Sequence, residues 1–336
     1  MQGYKLTGKG QLQYFSTPPT KLKENQLKVK IEKTLLSYGD YLAYQQDSKY
    51  QIVLGRYAVG NISELADNNT LFERFQRVVV CSTYTCGQCY NCKTGKQLLC
   101  TDKKQLGIDV DGTYCDFIDV PMSSVFALPE SVSFDDGLFV EQISLALNVL
   151  DKLSIQKGEH VVILSDTKLG LILGQLVTYY GAIPILVQQN KDIVAKAKDV
   201  GIFYAFDDKD DGAIESNIFA ITGGRMCEKA IYVNTSDLLL SKVDRLCAHY
   251  ASTCMLSCDN KLEYINAEQL VKKELTITGV SSPMGNFPTA INLLATNQID
   301  ISFLKGARVP LANLPKKLDS LDISTLETKS IIVEIN

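Results

Sequence analysis

The densest chemistry in the 336-residue chain is the run CGQCYNCKTGKQLLC, where Cys86, Cys89, Cys92 and Cys100 are spaced C-x2-C-x2-C-x7-C. Thiolates are soft ligands, and four at such short spacing can wrap one zinc ion at tetrahedral corners. Four protein ligands leave no open position for water or substrate, so the spacing predicts one zinc ion with a structural role. Lys93 and Lys96 lie inside the run and offset its negative charge. The same spacing is open to two disulfides or to an iron–sulfur cluster.

The other six of the ten cysteines (Cys81, Cys115, Cys227, Cys247, Cys254 and Cys258) are scattered, mostly among apolar residues. They read as reduced core residues, since a free cysteine packs as a small hydrophobe. Hydrophobic residues make up 46% of the chain and charged residues 21%, an ordinary globular balance that excludes disorder. The formal net charge of −4 comes with no basic block, so nucleic acid is not an expected partner. The first fifteen residues lack the apolar core of a signal peptide, and stretches such as LGLILGQLV at 169–177 are too short to span a bilayer. A cytoplasmic protein without membrane contact is the expectation.

Elements must position this chemistry, and 336 residues suit two domains. Residues 1–136 read as strand and turn, with QLKVKIEKTLL alternating at Leu27, Val29 and Ile31 as a half-buried strand does. A helix is expected through EQISLALNVLDKL. From Lys157 the rhythm changes. HVVIL, AIPILV, IFYAF, KAIYVN, ASTCMLS and LTITGV read as strands, separated by helices such as LGLILGQLVTYY and DIVAKAKDV. That alternation predicts an α/β fold with a doubly wound parallel sheet. NFPTAINLLATNQI gives one more helix, and KSIIVEIN a strand returning to the first domain.

With its cysteine run, the whole chain resembles the zinc-containing alcohol dehydrogenases of the medium-chain dehydrogenase/reductase superfamily. VLGRYAVGNISEL, GIDVDGTYCDFIDVP, ITGGRMCEKAIYV and ELTITGV are similar to that family's segments and occur in its order. The resemblance implies a GroES-like β-rich catalytic domain, residues 1–150 and 283–336, with the zinc lobe at 81–101. It implies a Rossmann domain over residues 151–282.

The family's catalytic zinc takes a cysteine, a Gly-His-Glu segment and a later acid, and here the matching positions have changed. Ser37 stands for the cysteine, Gly39 for a proton-relaying hydroxyl, and Gly55-Arg56-Tyr57 for Gly-His-Glu. Glu141 matches a ligand position of the polyol and threonine dehydrogenase-like subgroup. A guanidinium has no lone pair and repels a dication. The two histidines, His160 and His249, match no ligand position. The expectation is a site of Ser37, Arg56, Tyr57 and Glu141 without catalytic zinc, in which Arg56 either faces a developing oxyanion, with Tyr57, Tyr38 or Ser37 as proton donor, or forms a buried ion pair with Glu141, the ion pair being favoured.

The family's first strand-to-helix turn, G-x-G-x-x-G, appears here as SDTKLG. Ser165 and Thr167 replace two glycines and Gly170 is kept, so Ser165, Thr167, Lys168, Leu169 and Gly170 are the expected pyrophosphate contacts. Thr167 adds bulk where the backbone should approach the phosphates, although its hydroxyl could bond one. Gln188 stands where an acid would select NAD, which favours NADP slightly. The resemblance thus implies an NAD(P)-dependent oxidoreductase acting on a small alcohol, polyol or carbonyl, assembled as a homodimer or homotetramer through ELTITGV. The competing reading is a catalytically silent binding or subunit-interaction protein.

Overall fold

The structure is a computed structural model and describes residues 1–46, 51–67, 69, 71–207, 209, 211–234, 240–257 and 266–335. Cys258 lies outside the described residues. The chain forms two units, one of Met1–Glu141, Phe287–Thr296 and Leu304–Asn336, the other of Gln142–Asn286 and Asn297–Phe303.

The strand Gln26–Leu36 organises the first unit. Its 11 residues are long enough to pair with Phe117–Pro121 at one end, Ser330–Glu334 at the other and Ala58–Leu65 alongside, all antiparallel. Arg77–Val80 and Val125–Ala127 extend the sheet beyond Ala58–Leu65, and Lys305–Pro310 beyond Ser330–Glu334. Leu27, Val29 and Ile31 are each 0% exposed, as the alternation predicts. The intervening Lys28 is buried as well, because its Nζ reaches Glu64 Oε2 at 3.1 Å and the Thr20 carbonyl at 2.8 Å. A buried charge is tolerable only when paired in this way. The terminal strand returns as expected, with Ile331 opposite Leu36 and Val333 opposite Thr34.

The second unit is built on six strands, all parallel. Their spatial order is Tyr204–Asp207, Ile183–Gln188, His160–Ser165, Cys227–Asn234, Cys247–Ser257, Thr276–Gly279. In chain order this is 3-2-1-4-5-6, the doubly wound arrangement whose switch point lies beside the first strand. His160–Ser165 is buried along its whole length, which is why HVVIL reads as a continuous apolar run. The expected strand IFYAF is shorter, beginning only at Tyr204. Ile202 instead packs on the helix Leu169–Tyr179, where a Cβ on Gly174 would lie 2.3 Å from Ile202 Cδ1.

Cys81, Cys115, Cys227, Cys247 and Cys254 are buried and unbridged, as expected of core thiols. Among the described residues no helix is long and apolar enough to cross a membrane.

Candidate functional site

The cysteine run folds as a lobe closed at its base by the antiparallel strands Thr83–Tyr84 and Lys104–Gln105. Between them lie a single helical turn, Tyr90–Lys93, and a 3-10 turn, Gln97–Leu99, tied together by Asn91 Nδ2 donating to the Leu99 carbonyl at 2.7 Å. The sulfurs of Cys86, Cys89, Cys92 and Cys100 converge, all within 4.8 Å of one another. Cys89–Cys92 and Cys86–Cys100 are 3.5 Å apart and Cys86–Cys92 3.9 Å. A disulfide needs about 2.05 Å, so none has formed. Tetrahedral zinc with bonds of about 2.3 Å separates its sulfurs by about 3.8 Å, and the four sulfurs therefore fit one ion. The amides of Cys89 and Cys86 point at Cys86 Sγ and Cys100 Sγ, each at 3.4 Å, and would steady the thiolates.

A second constellation surrounds Asp40, which is 1% exposed. Ser37 caps the helix Tyr38–Gln45, its Oγ accepting from the Asp40 amide at 3.2 Å and donating to Asp40 Oδ2 at 2.5 Å. Asp40 also accepts from the Ser37 amide, the Gly55 amide at 3.1 Å and the buried Tyr114 hydroxyl at 3.1 Å. Ser37 is thereby committed as a capping-box residue. The same acid latches the turn that carries Arg56 and Tyr57, both half-buried.

Arg56 lies over Gly39. A Cβ at Gly39 would fall 2.7 Å from Nη2 and 3.1 Å from Cζ, so the guanidinium fills the space a side chain there would need. A glycine at 39 and an arginine at 56 therefore fit together. Among the described residues no ion pair within 4.0 Å and no hydrogen bond engages the guanidinium, and Nε is buried without a partner. Its positive charge still acts on Tyr114 and Glu141, opposing the burial that raises both groups.

The expected Arg56–Glu141 ion pair is not formed. Glu141 stands in the first turn of the helix Val140–Leu153 and is held by Ser82, whose amide donates to Oε2 at 2.8 Å and whose hydroxyl donates to Oε1 at 2.5 Å. Ser82 alone thus gives each carboxylate oxygen one donor, without a guanidinium. Desolvation raises Glu141 from 4.5 to about 7, against the pull of Ser82 and Arg56. The neighbouring Cys81 thiol is pushed up by burial and by Glu141. The structure thus gathers Ser37, Arg56 and Asp40 around one turn, with Glu141 held by Ser82. His160 and His249 both belong to the other unit. A hydroxyl spent on a cap and a cation do not form a donor set for zinc.

In the second unit, the turn after His160–Ser165 closes on itself. Ser165 Oγ accepts from the Thr167 amide at 3.2 Å and donates to the Thr167 carbonyl at 3.1 Å. Thr167 Oγ1 accepts from the Leu169 amide at 3.3 Å, and the Gly170 amide goes to the Thr167 carbonyl at 3.1 Å. Gln188 is 0% exposed, with Nε2 donating to the same carbonyl at 3.3 Å and Oε1 accepting from the Asn190 amide. Burial lowers the half-buried Lys168 to about 7. A Cβ on Gly170 would sit 2.9 Å from Ser165 Cβ and 3.0 Å from Leu186 Cδ1, so only glycine lets the helix pack this close to the sheet. The frame of a dinucleotide turn is present, with Thr167 set into it.

Residues 23–130 match the alcohol dehydrogenase GroES-like domain. The chain is 28% identical over 306 residues to an uncharacterized zinc-type alcohol dehydrogenase-like protein of Haemophilus influenzae, covering 89% of this chain and 88% of that one. Residues 23–130 are thus an alcohol dehydrogenase GroES-like domain, and most of the chain is similar to zinc-type alcohol dehydrogenase-like proteins. This alcohol dehydrogenase-like chain is also 26% identical over 295 residues to a sorbitol dehydrogenase of Halalkalibacterium halodurans, with 84% of each covered. Its fold matches a zinc-binding dehydrogenase of Sinorhizobium meliloti bound to NADP, with a TM-score of 0.89 at 20% identity over 99% of this chain and 98% of that one.

Two measurements follow. Replacing Cys92 with Ser should release metal from the lobe and expose 81–101 to proteolysis, and unchanged zinc content in that variant would contradict the ligand set. The Glu141 carboxyl keeps its proton to higher pH in the folded state than in the unfolded chain. Its contribution to stability is therefore full below about pH 4.5 and is lost as pH rises through about 7. The shift corresponds to roughly 3 kcal/mol. Glu141→Gln should therefore gain in urea midpoint relative to the natural chain as pH rises from about 5 to about 8. Parallel profiles for the two proteins would rule out titration of Glu141 in that range.

Proposed function

We propose that the chain is an NAD(P)-dependent oxidoreductase acting on a small alcohol, polyol or carbonyl, without a catalytic zinc and with one structural zinc at Cys86, Cys89, Cys92 and Cys100. The observation that carries the reading is the 3-2-1-4-5-6 parallel sheet, whose first turn keeps Gly170 in close helix–strand contact. Ser165, Thr167, Lys168, Leu169 and Gly170 would hold the pyrophosphate at the helix N-terminus, and the neutral Gln188 would tolerate a 2′-phosphate, favouring NADP. A bound nicotinamide supplies or accepts the hydride. On the chain's side, Arg56 provides fixed positive charge for a developing oxyanion, the role a metal would otherwise fill. Glu141, neutral over part of the physiological range, and Tyr57 are the candidate proton donors. Ser37 holds the turn in place through Asp40.

A second reading is favoured by one observation: Thr167 occupies the Leu169 amide that a phosphate would otherwise receive. On that reading the chain is a catalytically silent relative serving as a binding or subunit-interaction protein. In either case we place the protein in the cytoplasm, as a homodimer or homotetramer joined through the edge strand Thr276–Gly279, with no nucleic-acid or membrane partner.

Calorimetric titration with NADPH and NADH separates the two. The oxidoreductase reading expects both to bind, NADPH more tightly, and Thr167→Gly to raise both affinities by freeing the Leu169 amide. Absence of binding to both the natural chain and Thr167→Gly would leave the silent reading.

A further inference from the structure

Arg56 is a permanent cation that no acid among the described residues pairs with. The acids of its surroundings are bonded elsewhere, Asp40 by Ser37, Gly55 and Tyr114, and Glu141 by the two donors of Ser82. No carboxylate among the described residues comes within 4.0 Å of the guanidinium. Nε is buried and without a partner among the described residues, and the planar head lies over the bare backbone of Gly39. Arg56 is only half-buried, so its outer donors are open to solvent and can meet an anionic group from outside the chain.

We propose that Arg56 receives an oxyanion carried by the substrate, so that the chain acts on small alcohols or carbonyl compounds bearing a carboxylate or a phosphate. Both groups match the paired N–H donors of a guanidinium, where a neutral polyol would leave the charge unanswered. Gly39 leaves room for the guanidinium, Asp40 fixes the Gly55 turn from which it extends, and Ser82 withholds Glu141 from it. The inference rests on the oxidoreductase reading only in calling the bound molecule a substrate, and it gives the guanidinium to the substrate's resident anion in place of the oxyanion that develops at the reacting carbon.

The test uses the full zinc-loaded chain without nucleotide, so its outcome is independent of cofactor binding. Malonate and inorganic phosphate are titrated separately by calorimetry at low ionic strength into the natural chain, Arg56→Gln and Arg56→Lys. One site per chain is expected, weakened about tenfold or more in Arg56→Gln, as loss of a charged hydrogen bond requires, and partly restored in Arg56→Lys. Tighter malonate assigns a carboxylate-bearing substrate and tighter phosphate a phosphorylated one. Equal affinity in Arg56→Gln, or no binding of either anion to the natural chain, overturns the proposal. Should Arg56→Gln fail to fold, the natural chain still decides. Labelling of Arg56 by phenylglyoxal, mapped by mass spectrometry, should slow in the presence of the tighter anion, and labelling indifferent to it also overturns the proposal.

Discussion

The contact between the Arg56 guanidinium and the backbone of Gly39 governs the first unit's site. A permanent cation needs space, orientation and freedom from competing acids, and each neighbour supplies one of these. Gly39 gives the space, since any Cβ there would collide with Nη2. Asp40 gives orientation by binding the Gly55 amide. Ser82 removes the competing acid by holding Glu141 through its amide and hydroxyl. The residue types at 37, 39, 56 and 82 therefore make sense together, although each taken singly looks like the loss of something.

The second unit shows the opposite balance. Its sheet is stabilised by apolar packing. Val161, Val162, Ile163 and Leu164 are each 0% exposed, and the helix Leu169–Tyr179 is drawn close by Gly170 and by Ile202 seated against Gly174. Such a frame tolerates change at its turn, because the Ser165 and Thr167 side chains satisfy the turn's own amides.

Sequence alone carried the parts governed by local rules. Short thiolate spacing gave the metal lobe, because four ligands so close in the chain have few other ways to converge. Continuous apolar runs gave the parallel strands, because both faces of such a sheet are covered. Long-range partners were not legible. Nothing in the spacing joins Ser82 to Glu141 across 59 residues, so the acid appeared to need Arg56 as its counter-ion. The Arg56–Gly39 contact left a signal, two substitutions in neighbouring motifs, but its steric meaning appears only when the guanidinium has a place. Lys28 reads as a solvent-facing position of an alternating strand and is buried because Glu64 and Thr20 meet its ammonium. Ile202 has the composition of a strand and the role of a plug.

We propose that the four-cysteine lobe is the one metal centre of the chain and that the Arg56 guanidinium stands where a second ion would otherwise bind. Native mass spectrometry of the intact chain, titrated with zinc to excess, tests this most directly. The account predicts that loading stops at one ion per chain. A second ion bound with comparable affinity, lost on replacing Glu141 and kept on replacing Cys92, would contradict it.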